Sequence, residues 1–574
     1  MKQKTSFLLL LMLLIASAAA MARTESRLEK QGCAKRLIVD GKPFIIIGGE
    51  AGNSMASSPD DVACCMNVAL RHGYNTVLMP VVWELIEPQK GTFDFSSVDE
   101  IIRQATDSRL KVGILWFGAW KNSMSCYAPD WFKKDSKTYP RARTRSGKPL
   151  EIASAFSAKV AEADAAAFTR LLSHIAETDT AGSVIILQIE NEIGMLEDAR
   201  DHSPLAQKEY AKGVPGVLTA SLNLLNQKKS LHPQLLEKWQ AAGMKQKGSW
   251  TEVFGDDIYT DEIFMAWNYG RYVEGLAQIA RRIFPTMPLY VNAAMNSRGR
   301  KPGEYPSAGP LAHLKDIWHV AAPTVDILAP DLYDSGFTDW VRAYALVDNP
   351  LFIPEIKCAQ PNAAQAFYAV GEHKAIGLCP FAYNGRTSLS ETAYQAAGTA
   401  ALRSLTPLVT AHLGMGTMNG FYFDADSTER ILRRDGLRIT ARHYFTLPWD
   451  LRATDGSPWP AAGGLIVRTA PMEYIVAGSG LVLTFEPEDS GTAPEKKLGE
   501  DGFLASGSDR GAEKESRWKG KRIGLASVKE ISIADDGSQK RIRTFNGDET
   551  HQGRHVRIGV DDFRILRVKL YEYE

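Results

Sequence analysis

Eight short apolar segments, separated by segments with helical periodicity, occupy the first two thirds of the 574-residue chain. Each reads as a continuous apolar run, which is typical of parallel strands that are buried on both faces. The regular alternation of such strands with helices predicts an α/β fold, and eight units favour a closed (β/α)8 TIM barrel. The eight segments are 44–48, 76–82, 111–117, 183–189, 289–292, 325–329, 351–354 and 375–379.

The pattern changes after about residue 430, where short apolar segments follow one another between Gly, Asp and Ser turns. This predicts a smaller antiparallel β-sandwich domain over residues 431–574, after a barrel domain over residues 23–430. We expect the polar stretch 491–520 to be a long mobile loop. Residues 195–254 follow the fourth strand and predict an insertion that overhangs one end of the barrel. The β domain has three candidate roles: glycan binding, support of the barrel and dimer formation.

The amino terminus has the organisation of a signal peptide over residues 1–22. Two lysines precede the apolar run FLLLLMLLIASAAA, and small residues allow cleavage after Ala20 or Ala22. An uncleaved anchor is the less favoured alternative, because the run is shorter than the roughly 20 residues that cross a bilayer. We therefore expect an exported protein, periplasmic or extracellular, with no membrane contact after signal cleavage.

Composition narrows the classes of partner. The 67 Lys and Arg residues balance the 67 Asp and Glu residues, so the chain has no global attraction to nucleic acid or anionic lipid. The 11 histidines and 6 cysteines show no metal-ligand spacing, and no phosphate-binding loop occurs. We therefore predict no metal and no cofactor. The sequence leaves open whether any disulfide forms, with Cys358 and Cys379 as the favoured pair, and a homodimer is one alternative for the oligomeric state.

Two glutamates follow buried strands at positions where barrels carry their chemistry. The fourth strand runs into QIENEIG at 188–194, and the seventh into IPEIK at 353–357. Reactive side chains of such barrels project from the carboxyl ends of the strands, so Glu192 and Glu355 are expected to face one cavity. Glu190 is expected on the same side as Glu192 along an extended strand. Paired carboxyl groups on either side of a sugar are the equipment for glycoside hydrolysis.

QIENEIG is similar to the QxENEYG signature of glycoside hydrolase family 35 β-galactosidases. The resemblance continues through three further segments at 36–50, 73–95 and 115–132. The chain also resembles the bacterial branch of that family that carries a C-terminal β domain of unassigned function. The resemblance implies a TIM barrel and a retaining, double-displacement mechanism without a cofactor.

The same resemblance implies roles for four residues. Glu192 is the expected acid/base and Glu355 the expected nucleophile, while Asn191 contacts the 2-hydroxyl group of the sugar and Tyr333 lies near the nucleophile. The chain departs from the family at Met79-Pro80, where many relatives carry a sugar-binding tyrosine, and PEIK replaces the usual surroundings of the nucleophile. The assignment of Glu355 therefore depends on its strand position more than on its motif.

Five further residues are candidate sugar contacts, and four of them have a structural alternative. Trp116 and Trp120 end the third strand, where indole rings either stack on a sugar or pack in the core. Asn122 in the same loop binds hydroxyl groups or forms a turn. Glu50 lies at the floor of the predicted subsite, and Asn292 supports a carboxylate or caps a helix.

Together these features predict an exo-acting retaining enzyme that releases terminal β-linked galactose from oligosaccharides or polysaccharide side chains, with xyloglucan as one candidate. A related β-glycosidase is the alternative within enzymes: β-glucosidase, exo-β-glucosaminidase or arabinosidase. A non-catalytic carbohydrate-binding protein is the alternative if the chain is not an enzyme. The presence of both carboxylates argues against the last alternative, because a binding protein has no need for an acid and a nucleophile.

Overall fold

The structure is a computed structural model that describes residues 26–296, 299–385, 389–447, 449–488 and 521–574. The predicted signal peptide and the predicted loop at 491–520 lie outside these ranges. Within them, no helix combines the length and the apolar character that a membrane span requires.

The strands of the first part of the described chain form three sheets. β1–β3 make an antiparallel sheet before the barrel, and β7 pairs with β8 as a separate two-stranded sheet. The other eight strands are parallel and close on themselves in the order β4-β5-β6-β9-β10-β11-β12-β13. In chain order the strands are β1 (Arg27–Gln31), β2 (Ala34–Val39), β3 (Lys42–Phe44), β4 (Ile46–Glu50), β5 (Thr76–Val82), β6 (Lys111–Lys121), β7 (Arg141–Arg143), β8 (Pro149–Ala153), β9 (Val184–Asn191), β10 (Leu289–Ala294), β11 (Ile327–Leu332), β12 (Phe352–Lys357) and β13 (Gly377–Phe381).

The closed barrel confirms the predicted fold class, and each of the eight predicted segments overlaps one of its strands. β5 has the predicted bounds, and all seven of its residues are buried, as expected for a strand covered on both faces. β6 instead runs on to Lys121, past the predicted end at residue 117, because the apolar run continues through Trp120. This extension places Lys121 at the carboxyl end of the strand.

Helices cover the outside of the barrel. α1 shows how the sequence sets their ends: the Ser58 side chain accepts a hydrogen bond from the Asp61 amide, Pro59 opens the first turn, and Arg71 lies in the last turn. The helices are α1 (Pro59–Arg71), α2 (Trp83–Ile86), α3 (Ser96–Ser108), α4 (Asp130–Lys134), α5 (Ala158–Thr178), α6 (Pro204–Tyr210), α7 (Gly216–Gln227), α8 (Pro233–Ala241), α9 (Trp250–Phe254), α10 (Ile258–Ile283), α11 (Lys315–Ala321), α12 (Phe337–Tyr344), α13 (Asn362–His373) and α14 (Leu389–His412). The predicted insertion at 195–254 contains α6–α9.

The interior of the barrel is a packed core. Each barrel strand contributes at least one buried side chain to a single cluster, which includes Ile46, Leu115, Tyr290 and Phe352. Leu37 of β2 also joins this cluster, so the N-terminal sheet packs against the barrel interior. Packing of this kind leaves the carboxyl ends of the strands as the place for a polar cavity.

The C-terminal domain consists of two antiparallel sheets, with strand orders β14-β17-β18-β23-β20-β21 and β15-β16-β19-β22. One hydrophobic cluster takes residues from both sheets, as in a β-sandwich. The strands are β14 (Met418–Phe423), β15 (Glu429–Arg434), β16 (Leu437–His443), β17 (Ala462–Ala470), β18 (Glu473–Ser479), β19 (Leu481–Pro487), β20 (Arg522–Ile533), β21 (Gln539–Phe545), β22 (Val556–Ile558) and β23 (Arg564–Tyr573).

The change of architecture comes earlier than the predicted boundary at residue 430. The last barrel helix, α14, ends at His412, and β14 already pairs with β17 of the second domain. The sequence MNGFYF is too short and too rich in aromatic residues to be separated from a barrel strand by its pattern alone. Its pairing partner, 39 to 49 residues further along the chain, decides its domain.

The favoured disulfide does not form within the described part of the chain. Ile356 pairs with Pro380 and Lys357 with Phe381, so Cys358 lies three positions beyond the register of Cys379. At about 3.3 Å per residue, this offset separates the two residues by more than a disulfide can bridge.

Candidate active site

Three carboxyl groups meet at the carboxyl ends of β9, β11 and β12, an end of the barrel that we call the mouth. They belong to Glu192, Asp331 and Glu355, and one oxygen from each lies within 4.8 Å of the others. All three residues are buried. Closure of the barrel therefore brings the two predicted glutamates together, although 163 positions separate them in the sequence.

The backbone around Glu192 is held by several hydrogen bonds. The residue follows the last residue of β9 and has a φ angle of 45°, a left-handed conformation that is uncommon outside glycine. Its amide donates to Asn292 Oδ1 at 3.0 Å, and its carbonyl accepts from the Ser123 amide at 3.1 Å. Its carboxylate accepts a hydrogen bond from the Asn122 side chain. These contacts fix the direction of the carboxyl group.

The environment of Glu192 favours its protonated form. Burial, and next the nearby Glu355 carboxylate, raise the pKa of Glu192 to about 7, while the Lys121 ammonium opposes the rise. The side chain can therefore hold a proton near neutral pH, as a general acid must.

Glu355 lies within β12. Its Oε1 atom accepts a hydrogen bond from the hydroxyl group of Tyr333. Burial raises the pKa of Glu355, and the Lys121 charge and the Tyr333 hydrogen bond act against this rise. A side-chain hydrogen bond with Glu50 acts in the same direction as that of Tyr333 and lowers the pKa of Glu355. Oε2 of Glu355 is buried.

Asp331 is the residue before the last of β11 and lies between the two glutamates. Its carboxylate accepts from Asn292 Nδ2 at 2.7 Å, and its Cα atom is in register with that of Glu355. Burial, followed by the charges of Glu355 and Glu192, raises the pKa of Asp331 well above its usual value. The Asn292 side chain therefore donates a hydrogen bond to Asp331 through Nδ2 and accepts one from the Glu192 amide through Oδ1.

Two further ionisable residues, Glu50 and Lys121, lie beside the three acids at the ends of β4 and β6. Glu50 ends β4 and is fully buried, and burial together with the Glu355 carboxylate raises its pKa well above the usual value. Lys121 ends β6, is 3% exposed, and acts as a positive neighbour of Glu50, Glu192 and Glu355. Its ammonium group donates to Asn122. A buried cation beside these carboxyl groups offsets part of their mutual repulsion.

Asn191 and Gln188 are buried polar residues of β9 whose side-chain oxygen and nitrogen atoms make no hydrogen bonds within the described chain. Buried amides normally have partners, and leaving one unsatisfied costs about 1–3 kcal/mol. The hydroxyl groups of a bound sugar, or water, would satisfy them. Asn191, next to Glu192, thus lies where the resemblance requires a contact with the sugar.

Glu190 does not share the cavity with Glu192, contrary to the sequence-based expectation. Its φ angle of 57° breaks the extended geometry on which that expectation depended. Its carboxylate accepts from the amides of Ala119 (3.3 Å) and Trp120 (2.8 Å) of β6. Glu190 is therefore a structural residue that joins β9 to β6 beside the register shift between them.

Trp116 and Trp120 are not sugar-stacking platforms in this structure, and both are completely buried. The indole N–H of Trp116 donates to Asp164 of α5 at 2.9 Å, and its ring packs near Phe168 of the same helix. Trp120 packs edge-on against Tyr272 of α10, with ring centroids 4.7 Å apart. Both rings lie between the barrel and its helices, so the alternative of core packing is correct for both.

Sequence reasoning missed Asp331 and Lys121. Both carried the signal that identified the glutamates, since each is a charged residue at the end of a buried strand: Asp331 in ILAPDL and Lys121 in the run that ends β6. Asn122, Glu50, Asn292 and Tyr333, which were predicted as contacts, all lie at the mouth beside the three acids.

The three acids also form the one group among the described residues whose spacing suits a metal ion. Carboxylate oxygens suit hard cations such as Mg²⁺ or Ca²⁺. Tyr333, Asn122 and Asn292 instead donate one hydrogen bond each to Glu355, Glu192 and Asp331, and Lys121 is a positive neighbour of Glu192 and Glu355. The predicted absence of a metal stays a prediction.

A closed barrel with buried carboxyl groups at the ends of its fourth and seventh strands has the arrangement of a barrel glycosidase. Residues 36–247 match the family described as Glycosyl hydrolases family 35, which confirms the resemblance seen in the motifs. Residues 399–557 match a domain of unknown function, DUF5597, which accounts for most of the C-terminal domain.

Similar proteins include a β-galactosidase of Xanthomonas manihotis, 30% identical over 205 residues, or 34% of this chain. The match spans about a third (31%) of the length of that relative. Among solved structures, a β-galactosidase from Rahnella sp. R3 has a TM-score of 0.43 at 15% identity, covering 64% of this chain and 57% of the other. A β-galactosidase from Bacillus circulans sp. alkalophilus has a TM-score of 0.43 at 14% identity, with the same coverage of 64% and 57%.

Proposed function

We propose that this protein is a retaining, exo-acting β-galactosidase that releases terminal β-linked galactose from oligosaccharides or polysaccharide side chains, with xyloglucan as one candidate. The observation that carries the proposal is the approach of Glu192 and Glu355 to within 4.8 Å, measured between carboxyl oxygens. Retaining enzymes hold their carboxyl groups about 5–5.5 Å apart, whereas inverting enzymes leave about 6.5–9.5 Å for water. The spacing therefore favours retention.

The surroundings of the two groups support different roles for them. The pKa of Glu192, at about 7, suits a proton donor. Glu355 has a hydrogen bond from Tyr333 and the charge of Lys121, and both favour its anionic form. We therefore assign Glu192 as the acid/base and Glu355 as the nucleophile.

In the first step the Glu355 carboxylate attacks C1 of the sugar, and Glu192 transfers its proton to the glycosidic oxygen as the C1–O bond breaks. The products are the free aglycone and a covalent glycosyl ester on Glu355. Esterification removes the negative charge that raises the pKa of Glu192, so Glu192 becomes a base. It then takes a proton from water, whose oxygen attacks C1 and displaces Glu355 with the original anomeric configuration.

Exo action is supported by buried amide groups near the catalytic acids. Gln188 and Asn191 are fully buried, and their side-chain amides make no hydrogen bonds among the described residues. A terminal sugar can satisfy such groups with its hydroxyl groups, and a sugar inside a continuous chain has fewer to offer. A panel of nitrophenyl glycosides tests the sugar specificity. The β-galactoside should be the best substrate, and a preference for glucoside, glucosaminide or arabinoside would instead support a related β-glycosidase.

Replacement of the nucleophile tests the mechanism. We expect Glu355→Ala to abolish hydrolysis of nitrophenyl β-galactoside, and added azide to restore release of nitrophenol with formation of an α-linked galactosyl azide, measured by NMR. Azide takes the space of the removed carboxylate and attacks C1 once, which inverts the anomeric centre.

The matched control is Glu197→Ala, which removes an acidic side chain that also follows β9 but is 57% exposed. This variant should keep its activity and yield no azide adduct. A β-linked azide from Glu355→Ala would show that the two roles are exchanged, and full activity without azide would remove Glu355 from the mechanism.

We also propose that the protein is exported after cleavage of residues 1–22 and works without a metal. The supporting observations are the apolar run at 7–20 and the hydrogen bonds that Tyr333, Asn122 and Asn292 donate to Glu355, Glu192 and Asp331, respectively. Mass spectrometry of the mature protein should show an amino terminus at Met21 or Arg23, and EDTA should leave turnover unchanged.

A further inference from the structure

A large cavity of about 960 Å³ opens beside the barrel mouth. Its walls come from α8, the beginning of α10, the segment after β10 and α12. Binding sites for small molecules have volumes of about 300–1,000 Å³, so this cavity lies near the upper end of that range. It can hold a ligand of several sugar units.

The cavity is built from the connections that leave β9, β10 and β11, three adjacent strands of the barrel. Met295 and Asn296 line it and follow β10, which carries Asn292, the residue that contacts both Asp331 and the Glu192 amide. Trp340 lines it from α12, which begins soon after β11 and Tyr333. The cavity thus lies at the end of the barrel where β9, β10 and β11 finish, which is the end that carries Glu192.

Its lining combines aromatic faces with polar groups. Tyr259 is 45% exposed and Trp340 is half-buried, so both offer ring surface to a ligand. Such rings bury the apolar C–H face of a sugar while the neighbouring polar side chains meet its hydroxyl groups. Asn296 and His313 supply polar groups of this kind in the same cavity.

The charges of the lining are largely compensated. Lys238 pairs with Asp257 at 2.6 Å, and Asp339 with Arg342 at 2.9 Å. His313 contacts Glu262 at 3.0 Å, and burial, together with the charge of Lys315, lowers the pKa of His232 to about 4, which leaves that ring neutral. Such a lining lacks the concentration of cations that an anionic polymer would need. The cavity suits a neutral ligand.

We propose that this cavity binds the neutral oligosaccharide aglycone of the substrate, with Tyr259 and Trp340 as its stacking surfaces. The inference rests on the proposed function and extends it, because it assigns a preference for galactose carried on a neutral oligosaccharide over galactose on a small leaving group. The two aromatic residues determine specificity and take no part in bond cleavage.

The test compares kcat/KM for two substrates: nitrophenyl β-galactoside, whose leaving group is a single small ring, and a neutral tetrasaccharide that ends in β-linked galactose. For Tyr259→Ala and Trp340→Ala we expect a loss of about tenfold or more on the tetrasaccharide and a change of less than about twofold on the nitrophenyl substrate. Tyr573→Ala, which removes an aromatic residue of similar exposure (42%) from β23, serves as the control and should alter neither value.

Equal losses on both substrates would show that the aromatic residues support the fold of the site, and no loss on either would show that the cavity is not used. Either result overturns the inference. If the wild-type protein hydrolyses neither substrate, the proposed function fails separately. Calorimetric binding of the tetrasaccharide then decides the inference: binding that weakens in Trp340→Ala supports the cavity, and unchanged binding refutes it.

Discussion

At the scale of single residues, the site depends on how buried charges compensate one another. Glu50, Glu192, Asp331 and Glu355 are carboxyl groups with raised pKa values, and Lys121 is the cation placed among them. An uncompensated buried charge is costly, so such groups share protons or pair with a cation. Lys121 therefore helps to set which of the four is ionised.

Replacing Lys121 with methionine tests this role. The removal of the positive charge should raise the pKa of Glu355, which must be ionised to attack, and the acid limb of the profile of kcat/KM against pH should move to higher pH by about one unit. Activity should fall more at pH 5 than at pH 8. The control Lys133→Met removes a lysine that pairs with Glu84 at 3.1 Å outside this set. An acid limb that does not move would show that the Lys121 charge has no effect on the pKa of Glu355.

At the scale of secondary-structure elements, the β domain is packed tightly onto the helix that follows the nucleophile strand. α13 lies against β14 and β17, and Arg430 NH2 donates to Glu372 of α13 at 2.6 Å. A Cβ atom added at Gly463 of β17 would lie 2.4 Å from the Ala364 carbonyl oxygen of α13. These contacts favour support of the barrel among the three roles considered for the domain.

We expect Gly463→Ala to destabilise the protein by about 1–3 kcal/mol, because backbone must move to admit the methyl group. The melting temperature should fall, and displacement of α13 should lower turnover. Gly275→Ala is the matched control, since it adds a methyl group into open space within α10 and should be neutral or stabilising. Gly463→Ala with an unchanged melting temperature would argue against close packing of the domains.

At the scale of the whole molecule, the buried carboxyl groups link stability to pH. In the folded state the pKa of Glu192 is about 7, above its usual value of 4.5. A raised pKa means that the folded protein binds the proton more tightly than the unfolded chain does, so this stabilisation is complete below about pH 4.5 and is lost as the pH rises through 7. Glu50 and Asp331 shift in the same direction.

The melting temperature should therefore fall between pH 5 and pH 8. Glu192→Gln, which keeps the shape and removes the titrating group, should be more stable than the wild type at pH 8, by on the order of 3 kcal/mol, and nearly equal to it at pH 5. Calorimetry at the two pH values measures both differences, and Glu197→Gln provides an exposed control. A larger gain at pH 5 than at pH 8 would contradict the assigned direction.

The barrel could be predicted from the sequence, because eight continuous apolar runs between helices have few other ways to bury both faces of each strand. The sequence also placed Glu192 and Glu355 at strand ends, since strand position decides which end of a parallel barrel a residue reaches. Both conclusions depend on the local sequence pattern and on the rule that reactive residues of such barrels lie at the carboxyl ends of the strands.

Tertiary structure alone decided the direction of each side chain. Because Glu190 and Glu192 have positive φ angles, their side chains lie on opposite sides of the barrel wall. Trp116 and Trp120 pack against the outer helices and not in the cavity. The partners of Lys121 and Asp331 come from distant strands. Such contacts depend on register and closure, which link residues far apart in the chain and leave no periodic signal in it.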